Sequence, residues 1–342
     1  MSRRDDLFME DSIIMGTKVS LSRNIIDYPF PHKLSESESI YITNKINKIM
    51  EDSLKLQEEN FILKKMNDIT NIEKTTLVEM NIINSKFAHN NNASVLINKD
   101  KTKCLLINGD DHIRIKIFRK DFDLDEAYKS ANEIDNILEE KLEYAFDEKI
   151  GYLTCCPVNA GTGLKVSVTL HLPVLCLQKK VETYYNIGNK LGVNIKGISN
   201  EKSNTLGSMY EISNENIIGR SEKNIIESLK SITKDIITKE IETREILKID
   251  ASVELEDEIY RSLGIIQHAR IISVQEVMKH LSNIKLGIEM NFINDINIEK
   301  VISLMKGMKP SLGLMVSSNR DSDIKRANFI RNEFTLANRN SK

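Results

Sequence analysis

The stretch from Gly151 to Pro173, GYLTCCPVNAGTGLKVSVTLHLP, decides how the rest of the chain is interpreted. It opens with a turn-prone run in which a proline, an asparagine and two glycines permit close approach of a ligand to the backbone. From Leu164 to His171 apolar and polar residues then alternate, which predicts a β-strand with one core face. The other face presents a row of hydrogen-bond donors: Lys165, Ser167, Thr169 and His171.

The same alternation recurs upstream in residues 112–117 and, in a shorter copy, in residues 193–196. An antiparallel sheet keeps one side on the core while its other side can stay wet. If these strands share such a sheet, the wet side carries Arg114, Lys165 and Lys196, a basic floor suited to a polyphosphate. His112 and Lys116 fall on the same row. Half-buried strands also carry basic residues simply as solvent-facing groups, and this plainer interpretation stays open.

Composition sets the outer bounds on the function. The chain has 342 residues, 40% hydrophobic and 29% charged, as in an ordinary globular protein of one or two domains. A net charge of -2 argues against a general nucleic-acid binder. No apolar run reaches the roughly 18 residues that span a bilayer, and the N-terminus lacks a signal-peptide core, so we expect a cytoplasmic protein without a membrane partner. The four cysteines have neither the number nor the spacing of a disulfide framework or a zinc site, and no protein metal site is predicted.

The order of periodic segments predicts an α+β fold. Residues 1–85 are predicted as mainly helical, with a helix from Glu36 and further helical runs near residues 62–66 and 75–83. Residues 86–250 are predicted as sheet and helices, and residues 251–342 as a separate helical domain. Strands are expected at 93–97, 103–107 and 208–213, and helices at 123–148, 172–191 and from Ser221.

A turn, Asn108-Gly109-Asp110-Asp111, leads into the upstream strand. It places two adjacent carboxylates at a strand entry beside the basic row. A polar hairpin turn with solvated aspartates is an equally good interpretation of the pattern alone.

Five segments together resemble the guanido (phosphagen) kinase superfamily, in particular the bacterial protein-arginine kinases. The central CPVNAGTGLKVSV is similar to the family's C-P-T-N-x-G-T-G segment, and NGDDHIR at 108–114 to its N-E-E-D-H-x-R. Residues 22–30 resemble its A-R-N and following aromatic-P-F. Residues 207–219, GSMYEISNENIIG, and 256–262, EDEIYRS, also match family segments in order. The resemblance covers nearly the whole chain.

The resemblance implies transfer of the ATP γ-phosphoryl group, assisted by Mg²⁺, to arginine side chains of proteins. It implies a guanido-kinase-like catalytic domain at 1–250, with an antiparallel sheet flanked by helices. Asp110 matches the catalytic glutamate, Glu201 the glutamate of a flexible loop, and Cys156 the cysteine that contacts the guanidinium. The implied ATP-binding residues are Lys18, Ser20, Asn81, Arg114, Lys165, Ser167 and Lys196.

For the helical domain at 251–342 the resemblance implies dimerisation and phosphoarginine docking. The family's R-D-x-x-R-A motif aligns with residues 322–327, so Asp323 and Arg326 are expected to bind phosphoarginine while Ser322 replaces the first arginine. The implied partners are a second copy of the chain and an activator, a repressor or a protease, in a stress-response setting.

The departures from the family pattern concern mainly the phosphate ligands. Lys18, Ser20, Lys165 and Lys196 stand where the family has arginines, so only Arg114 remains of that set. Lysine keeps the charge but lacks the planar fork that binds phosphate through two hydrogen bonds. Asn81 replaces a histidine expected near the nucleotide, and Asp110 is one methylene shorter than the glutamate it replaces.

Two hypotheses follow from these matches and departures. The first is a protein-arginine kinase whose activity is reduced by the altered phosphate ligands. The second is a kinase-derived adaptor or regulator in protein quality control that has lost efficient phosphoryl transfer.

Overall fold

An eight-stranded antiparallel sheet forms the centre of the protein. The structure, a computed structural model, describes residues 12–53, 56–198, 205–215, 219–250, 252–307 and 320–337. The strands are Ile14–Arg23 (β1), Ile62–Lys65 (β2), Ser94–Ile97 (β3), Lys103–Ile107 (β4), Ile113–Arg119 (β5), Phe146–Asp147 (β6), Gly151–Tyr152 (β7), Leu164–His171 (β8), Val193–Gly197 (β9) and Met209–Asn214 (β10). The large sheet has the order β2-β3-β4-β5-β1-β8-β10-β9, and β6 pairs with β7 alone. The α+β prediction with an antiparallel sheet is confirmed.

Eleven α-helices lie within the described residues. They are Glu36–Asp52 (α1), Asn71–Glu79 (α2), Ser85–Ala88 (α3), Leu124–Glu139 (α4), Pro173–Leu177 (α5), Val181–Leu191 (α6), Glu222–Asp250 (α7), Ser252–His268 (α8), Val274–Glu289 (α9), Ile298–Gly307 (α10) and Arg320–Ala337 (α11). Ser35 begins α1 with a capping box, because its side chain accepts from the backbone of Glu38 while Glu38 accepts from Ser35. From α8 onward the described chain is helical.

Strand β1 occupies the middle of the sheet, between β5 and β8. The sequence interpretation of residues 1–85 missed this strand and also assigned residues 62–66 to a helix, where the structure has β2. The signal for β1 was present, since Lys18, Ser20 and Ser22 alternate with Val19 and Leu21. A strand that pairs on both sides is stabilised by partners far away in the sequence, and local propensity therefore understates it.

Two helix boundaries also differ from the prediction. The helix expected at 123–148 begins at Leu124 after its Asp123 cap but ends at Glu139. The helix expected at 172–191 is two helices, α5 and α6, separated where Lys179 adopts a left-handed φ of 55°. Apolar periodicity continued across both boundaries because the residues beyond them still pack on the core.

One face of the sheet carries the main hydrophobic core. Alternate residues of β1, β5 and β8, such as Val19, Ile115 and Val166, are fully buried against the long helices. Helices α1, α4 and α7 supply the opposing side chains, including Ile46, Ile134 and others of the same stripes. Burial of these apolar side chains is the dominant stabilising contribution of the part of the chain that forms the sheet.

The opposite face of the sheet is polar only in its middle. Across β3 and β4 it is covered by a small cluster in which Leu77 and Phe87 pack on Val95 and Leu106. At the far ends of β8 and β10 it is covered by the C-terminal helices, which bury Met209. Between these two covers an open strip of polar residues remains.

The C-terminal helices share their hydrophobic core with the sheet domain. Met15 of β1, Val174 of α5 and Met209 of β10 pack in one cluster with residues of α8 to α11. His171 lies at the end of the polar row of β8 but is fully buried, with its Nε2 2.7 Å from Ser282 Oγ of α9. The expectation that His171 faces solvent is therefore wrong, because a helix distant in sequence covers it.

A cluster of buried charged side chains joins α7 to α9. Arg244 donates from Nε to Glu240 at 2.8 Å and from a terminal nitrogen to Glu289 at 3.0 Å. Lys285 donates to Glu289 and, at 2.7 Å, to the backbone oxygen of Ser12. All four charged side chains are at most 1% exposed. Glu240 also accepts the backbone N–H groups of Val174 and Leu175, which satisfies two donors at the start of α5.

Candidate active site

Strand register gathers the proposed phosphate ligands onto one face of the sheet. Lys18 lies directly opposite Ser167, and Ser20 lies directly opposite both Lys165 and Lys116. Residues directly opposite each other in an antiparallel pair project to the same face. The polar strip of β5, β1, β8, β10 and β9, called the floor below, consists of Arg114, Lys116, Lys18, Ser20, Ser22, Lys165, Ser167, Thr169, Glu211 and Lys196.

A cleft of about 1130 Å³ lies over one half of the floor. Four of the residues expected to bind ATP line it: Lys18, Asn81, Ser167 and Lys196. Asn81 enters from the turn after α2, where its φ of 56° reverses the chain. Arg119 and Lys120 add further cations, and α10 contributes Lys306 from the C-terminal domain. The volume and the charge fit a nucleotide with its phosphate chain.

A smaller cavity of about 210 Å³ lies at the β5 edge of the floor, where Arg114 and Lys116 line it. Its lining includes Lys86, Asp110, Asp111, Arg114 and Lys116. Asp110 accepts a hydrogen bond from Lys86 at 3.0 Å and lies 3.6 Å from a terminal nitrogen of Arg114. The side chain of Asp110 is 35% exposed, so a cationic group can reach its carboxylate.

Asp111 is the buried anchor of this cavity and not the solvated aspartate of a simple hairpin turn. It is 1% exposed and accepts hydrogen bonds from Asn24 at 3.0 Å and from the backbone of Cys155 at 2.8 Å. Its second oxygen accepts from Arg114 at 2.9 Å. One carboxylate thereby ties β1, the β4–β5 turn and the cysteine turn together. The sequence interpretation noted Asp111 but gave it no role.

The cysteine turn lies beside the two aspartates. Asp111 holds the backbone of Cys155, and the next residue, the exposed Cys156, is not among the residues that line the smaller cavity. Burial raises the pKa of the Cys155 thiol, and the nearby carboxylates of Asp111 and Asp110 raise it further. Glu201, the third residue expected to act on the guanidinium, lies outside the described residues.

Lys165 is held at the centre of the floor. Its ammonium donates to the backbone oxygen of Asn214 at 2.5 Å. Burial lowers the pKa of Lys165, while Glu211 and Glu215 partly oppose that shift. Lys18 forms a 3.7 Å ion pair with Glu211 across the same strip. The floor therefore combines lysines, Arg114 and hydroxyl groups with one carboxylate, that of Glu211.

His112 does not belong to the wet row on which the sequence placed it. It is fully buried, its Nδ1 accepts from the backbone N–H of Ile25 at 3.1 Å, and its Nε2 lies 3.0 Å from the carbonyl of Pro29. Burial lowers the pKa of this imidazole, which favours the neutral ring that such bonds require. His112 positions the chain after β1.

In the C-terminal domain, Asp323 and Arg326 pair with each other on α11. Arg326 donates to Asp323 at 2.5 Å and to the carbonyl oxygen of Ile272 at 2.7 Å, and its side chain is 1% exposed. Asp323 remains 24% exposed. Ser322, at the position of the missing arginine, is buried. A ligand that binds both charged groups must therefore compete with their mutual ion pair.

Among the described residues no cluster of three or more histidine, cysteine, aspartate or glutamate side chains is placed to hold a metal ion. Three separate carboxylates line the larger cleft, those of Glu79, Asp121 and Glu211. Magnesium in nucleotide sites commonly uses one or two carboxylates together with phosphate oxygens and water, so this donor set fits a nucleotide-bound ion.

In the described part of the chain, no helix combines the length and the apolar character that a membrane span requires.

Family models match the two parts of the chain separately. Residues 41–243 match the ATP:guanido phosphotransferase C-terminal catalytic domain, and residues 252–342 match the protein-arginine kinase McsB C-terminal domain. Among curated proteins, the protein-arginine kinases of Clostridium kluyveri and Clostridium acetobutylicum are each 37% identical, over 332 and 330 residues. These alignments cover 95% of both chains for C. kluyveri, and 94% of this chain and 96% of the relative for C. acetobutylicum. The protein-arginine kinase of Bacillus cereus strain G9842 is 34% identical over 96% of this chain and 94% of its own.

Solved structures share the fold at lower identity. The duplicated taurocyamine kinase from Schistosoma mansoni, with bound transition state analog components, superposes with a TM-score of 0.62 at 21% identity. That match covers 78% of this chain and 38% of the duplicated one. Lombricine kinase superposes with a TM-score of 0.58 at 21% identity, covering 67% of this chain and 66% of its own. At this identity the likeness describes the fold alone.

Proposed function

The chain belongs to the ATP:guanido phosphotransferase family, within the protein-arginine kinases, and from this premise we propose that it transfers the ATP γ-phosphoryl group to arginine side chains of proteins. The observation that carries the proposal is that one face of the sheet contributes residues to both cavities. Lys18 and Ser167 line the nucleotide-sized cleft, and Arg114 and Asp110 line the adjoining smaller cavity. Phosphoryl transfer requires cations around the phosphate and an acidic group at the acceptor.

On the nucleotide side, the proposed ligands are Lys18, Ser20, Asn81, Arg114, Lys165, Ser167 and Lys196. The lysines and Arg114 neutralise phosphate oxygens, while the hydroxyls and the amide donate hydrogen bonds. Magnesium, when bound to the nucleotide, would neutralise charge on the phosphate oxygens, and Glu211 is the carboxylate of the floor that lines the cleft and could hold it. The lining of the cleft supports four of these ligands, Lys18, Asn81, Ser167 and Lys196, and strand register supports Ser20, Arg114 and Lys165.

On the acceptor side, Asp110, Cys156 and Glu201 are the proposed catalytic residues. A protonated guanidinium is a poor nucleophile, so a carboxylate must orient it and accept its proton as the N–P bond forms. Lys86 already places an ammonium 3.0 Å from Asp110. We infer that the substrate guanidinium displaces Lys86, whose side chain is 85% exposed and free to move away.

The rate of transfer is expected to be reduced. Lys165 and Lys196 lack the forked donors of arginine, and Ser20 carries no charge. Asp110 is withdrawn by one methylene, and a misplacement on the order of 1 Å costs about a hundredfold in rate. The alternative is an adaptor or regulator in protein quality control, favoured by the same loss of arginines. The physiological setting we propose is cytoplasmic.

Restoring the family residues is expected to raise the rate. In the variant Lys165→Arg, Lys196→Arg, Asp110→Glu, we expect phosphoarginine formation at least about tenfold faster than in the original chain, because each change regains a forked or better placed contact. The measurement is transfer of radiolabelled γ-phosphate to an arginine-rich test protein, detected as acid-labile phosphoarginine.

The matched control for this triple variant is Lys129→Arg, a lysine-to-arginine change on the exposed side of α4, which should leave the rate unchanged. A restored variant that binds ATP and the test protein yet forms no phosphoarginine would favour the adaptor function. Absence of ATP binding in the original and the restored chain alike would contradict both the floor and the kinase proposal.

For residues 251–342 we propose dimerisation and docking of phosphoarginine, with residues 1–250 as the catalytic domain. The partners then include a second copy of the chain and an activator, a repressor or a protease. Asp323 holds the guanidinium portion of phosphoarginine, and Arg326 pairs with its phosphate. Their ion pair in the free protein opposes this binding.

We therefore expect phosphoarginine to bind this second site weakly, with a dissociation constant on the order of 1 mM or above, which corresponds to about 4 kcal/mol. The measurement is a titration followed by NMR of the α11 backbone amides. Replacing Ser322 with arginine should tighten binding, since it returns a second cation. Amides of α11 that stay unmoved in both proteins would exclude this site.

A further inference from the structure

Lys116 lies in the middle of the floor and has no role in the function proposed above. On β5 it is directly opposite Ser20 of β1, and Ser20 is directly opposite Lys165 of β8. One row across three adjacent strands therefore runs lysine, serine, lysine. At its centre, Ser20 is buried and its hydroxyl donates to the carbonyl oxygen of Lys165 at 3.4 Å. The small side chain leaves room for a neighbouring group.

Lys116 also stands between the two cavities. Along β5, Arg114 precedes it on the same face and lines the smaller cavity with it. On β1, Lys18 lies one row further on and lines the larger cleft. A phosphate chain that extends from the larger cleft toward Asp110 must pass the ammonium of Lys116.

The hydrogen bonding of this ammonium is incomplete in the described residues. Its nitrogen donates to the carbonyl oxygen of Ile82 at 2.7 Å, and within the described chain no carboxylate lies within ion-pair distance of it. An ammonium has three donors, and burying one without a counter-ion is unfavourable unless an anion completes its shell. Burial lowers the pKa of Lys116 to about 8. Above about pH 8, such a group can gain a proton when a phosphate binds beside it.

We propose that Lys116 is a phosphate-binding residue of this site, supplying from β5 the cation that Ser20 leaves out of β1. The inference rests on the proposed function, because it requires that the floor bind ATP. It adds to that function that one phosphate-binding cation is supplied by Lys116 of β5, next to the position of Ser20 on β1. The charge is thereby kept in the same row of the sheet.

The first test compares Lys116→Met with Lys129→Met, a change at an exposed lysine of α4. ATP and adenosine are titrated separately by calorimetry. Loss of a charged hydrogen bond should weaken ATP binding by Lys116→Met about 10- to 100-fold, with adenosine unaffected. The control should bind both ligands as the original chain does. Equal ATP affinity in the original chain and Lys116→Met would overturn the inference.

The second test removes the positive charge at position 116 and introduces one at position 20. In the double variant Ser20→Arg, Lys116→Met, ATP affinity should recover to within about threefold of the original, because positions 20 and 116 lie opposite each other. A double variant as weak as Lys116→Met would overturn the inference. If the original chain itself binds no ATP, the proposed function fails and the inference fails with it. Thermal unfolding verifies that both variants fold, which we expect because methionine preserves the buried volume.

Proton linkage provides a third readout. The charged or titratable groups facing Lys116 are Arg114 on its own strand, Lys18 on β1, Cys104 on β4 and Asp110 in the turn. Phosphate raises the pKa of Lys116, so at about pH 9 ATP binding should take up a proton, and at about pH 7 much less. Calorimetry in buffers of different ionisation enthalpy measures this uptake. The uptake should disappear in Lys116→Met, and its persistence would assign the proton elsewhere.

Discussion

Replacing Arg114 with methionine is expected to lower kcat for phosphoarginine formation by about 100- to 1000-fold. Arg114 is the arginine that remains among the proposed phosphate ligands, and it contacts both aspartates of the smaller cavity. The variant loses a forked donor for the transferring phosphoryl group and the restraint on Asp110. Initial rates with saturating ATP and test protein measure the effect.

The variant Arg114→Lys separates charge from geometry at this position. It keeps a cation but cannot donate to phosphate and to Asp111 as a planar fork does, so its rate should fall between the original and Arg114→Met. Arg261→Met, at an arginine that is 74% exposed, serves as the matched control and should retain full activity. Full activity in Arg114→Met would show that neither phosphate binding by Arg114 nor its contacts with Asp110 and Asp111 contribute to the rate.

Replacing Arg244 with methionine is expected to lower the free energy of unfolding by about 3–5 kcal/mol. Arg244 is the cation between Glu240 and Glu289, and all three side chains are buried. Its removal leaves carboxylates without enough counter-charge in a site closed to water. Urea unfolding followed by circular dichroism measures the loss.

The expected loss of stability in Arg244→Met comes from the carboxylates left without a counter-ion, and not from the loss of a favourable ion pair. A second variant tests this explanation. Replacing Arg244, Glu240, Glu289 and Lys285 together with apolar residues of similar volume should restore part of the stability, since no charge is left buried. The recovery stays incomplete because the backbone N–H groups of Val174 and Leu175 lose Glu240 as their acceptor. Arg261→Met, an exposed site, should change stability by less than about 0.5 kcal/mol. A loss below about 1 kcal/mol in Arg244→Met would mean that water reaches the cluster.

The strands of the floor could be predicted because their period of two is local. Alternation marked β8, β9 and most of β5 correctly, and the hairpin of β3 and β4 as well. Register between strands that are distant in sequence has no such local signal. The alignment of Ser20 with both Lys116 and Lys165 depends on the pairing of β1, which the sequence interpretation did not predict as a strand.

Burial of polar residues was the other part that the sequence could not provide. His171 occupies a polar position of its strand and Arg326 lies in a basic segment, yet each is covered by an element that the chain adds more than 50 residues away. Asp111 is of a residue type that favours turns, yet it is buried like a core residue. The local sequence pattern predicts which face of a strand or helix a side chain occupies. Whether another element covers that face depends on tertiary packing, which the local pattern does not contain.

The shared hydrophobic core of the two domains limits how this protein can be recombined with its relatives. Met15, Val174 and Met209 of the sheet domain pack in the same cluster as Leu281 and Val301 of the C-terminal helices. A chimera cut at residue 250 would pair one relative's side chains with another's across a close-packed seam. The side chains of the two halves therefore have to match each other in size and shape. A graft of the C-terminal helices must carry the facing residues of β1, α5 and β10 with it.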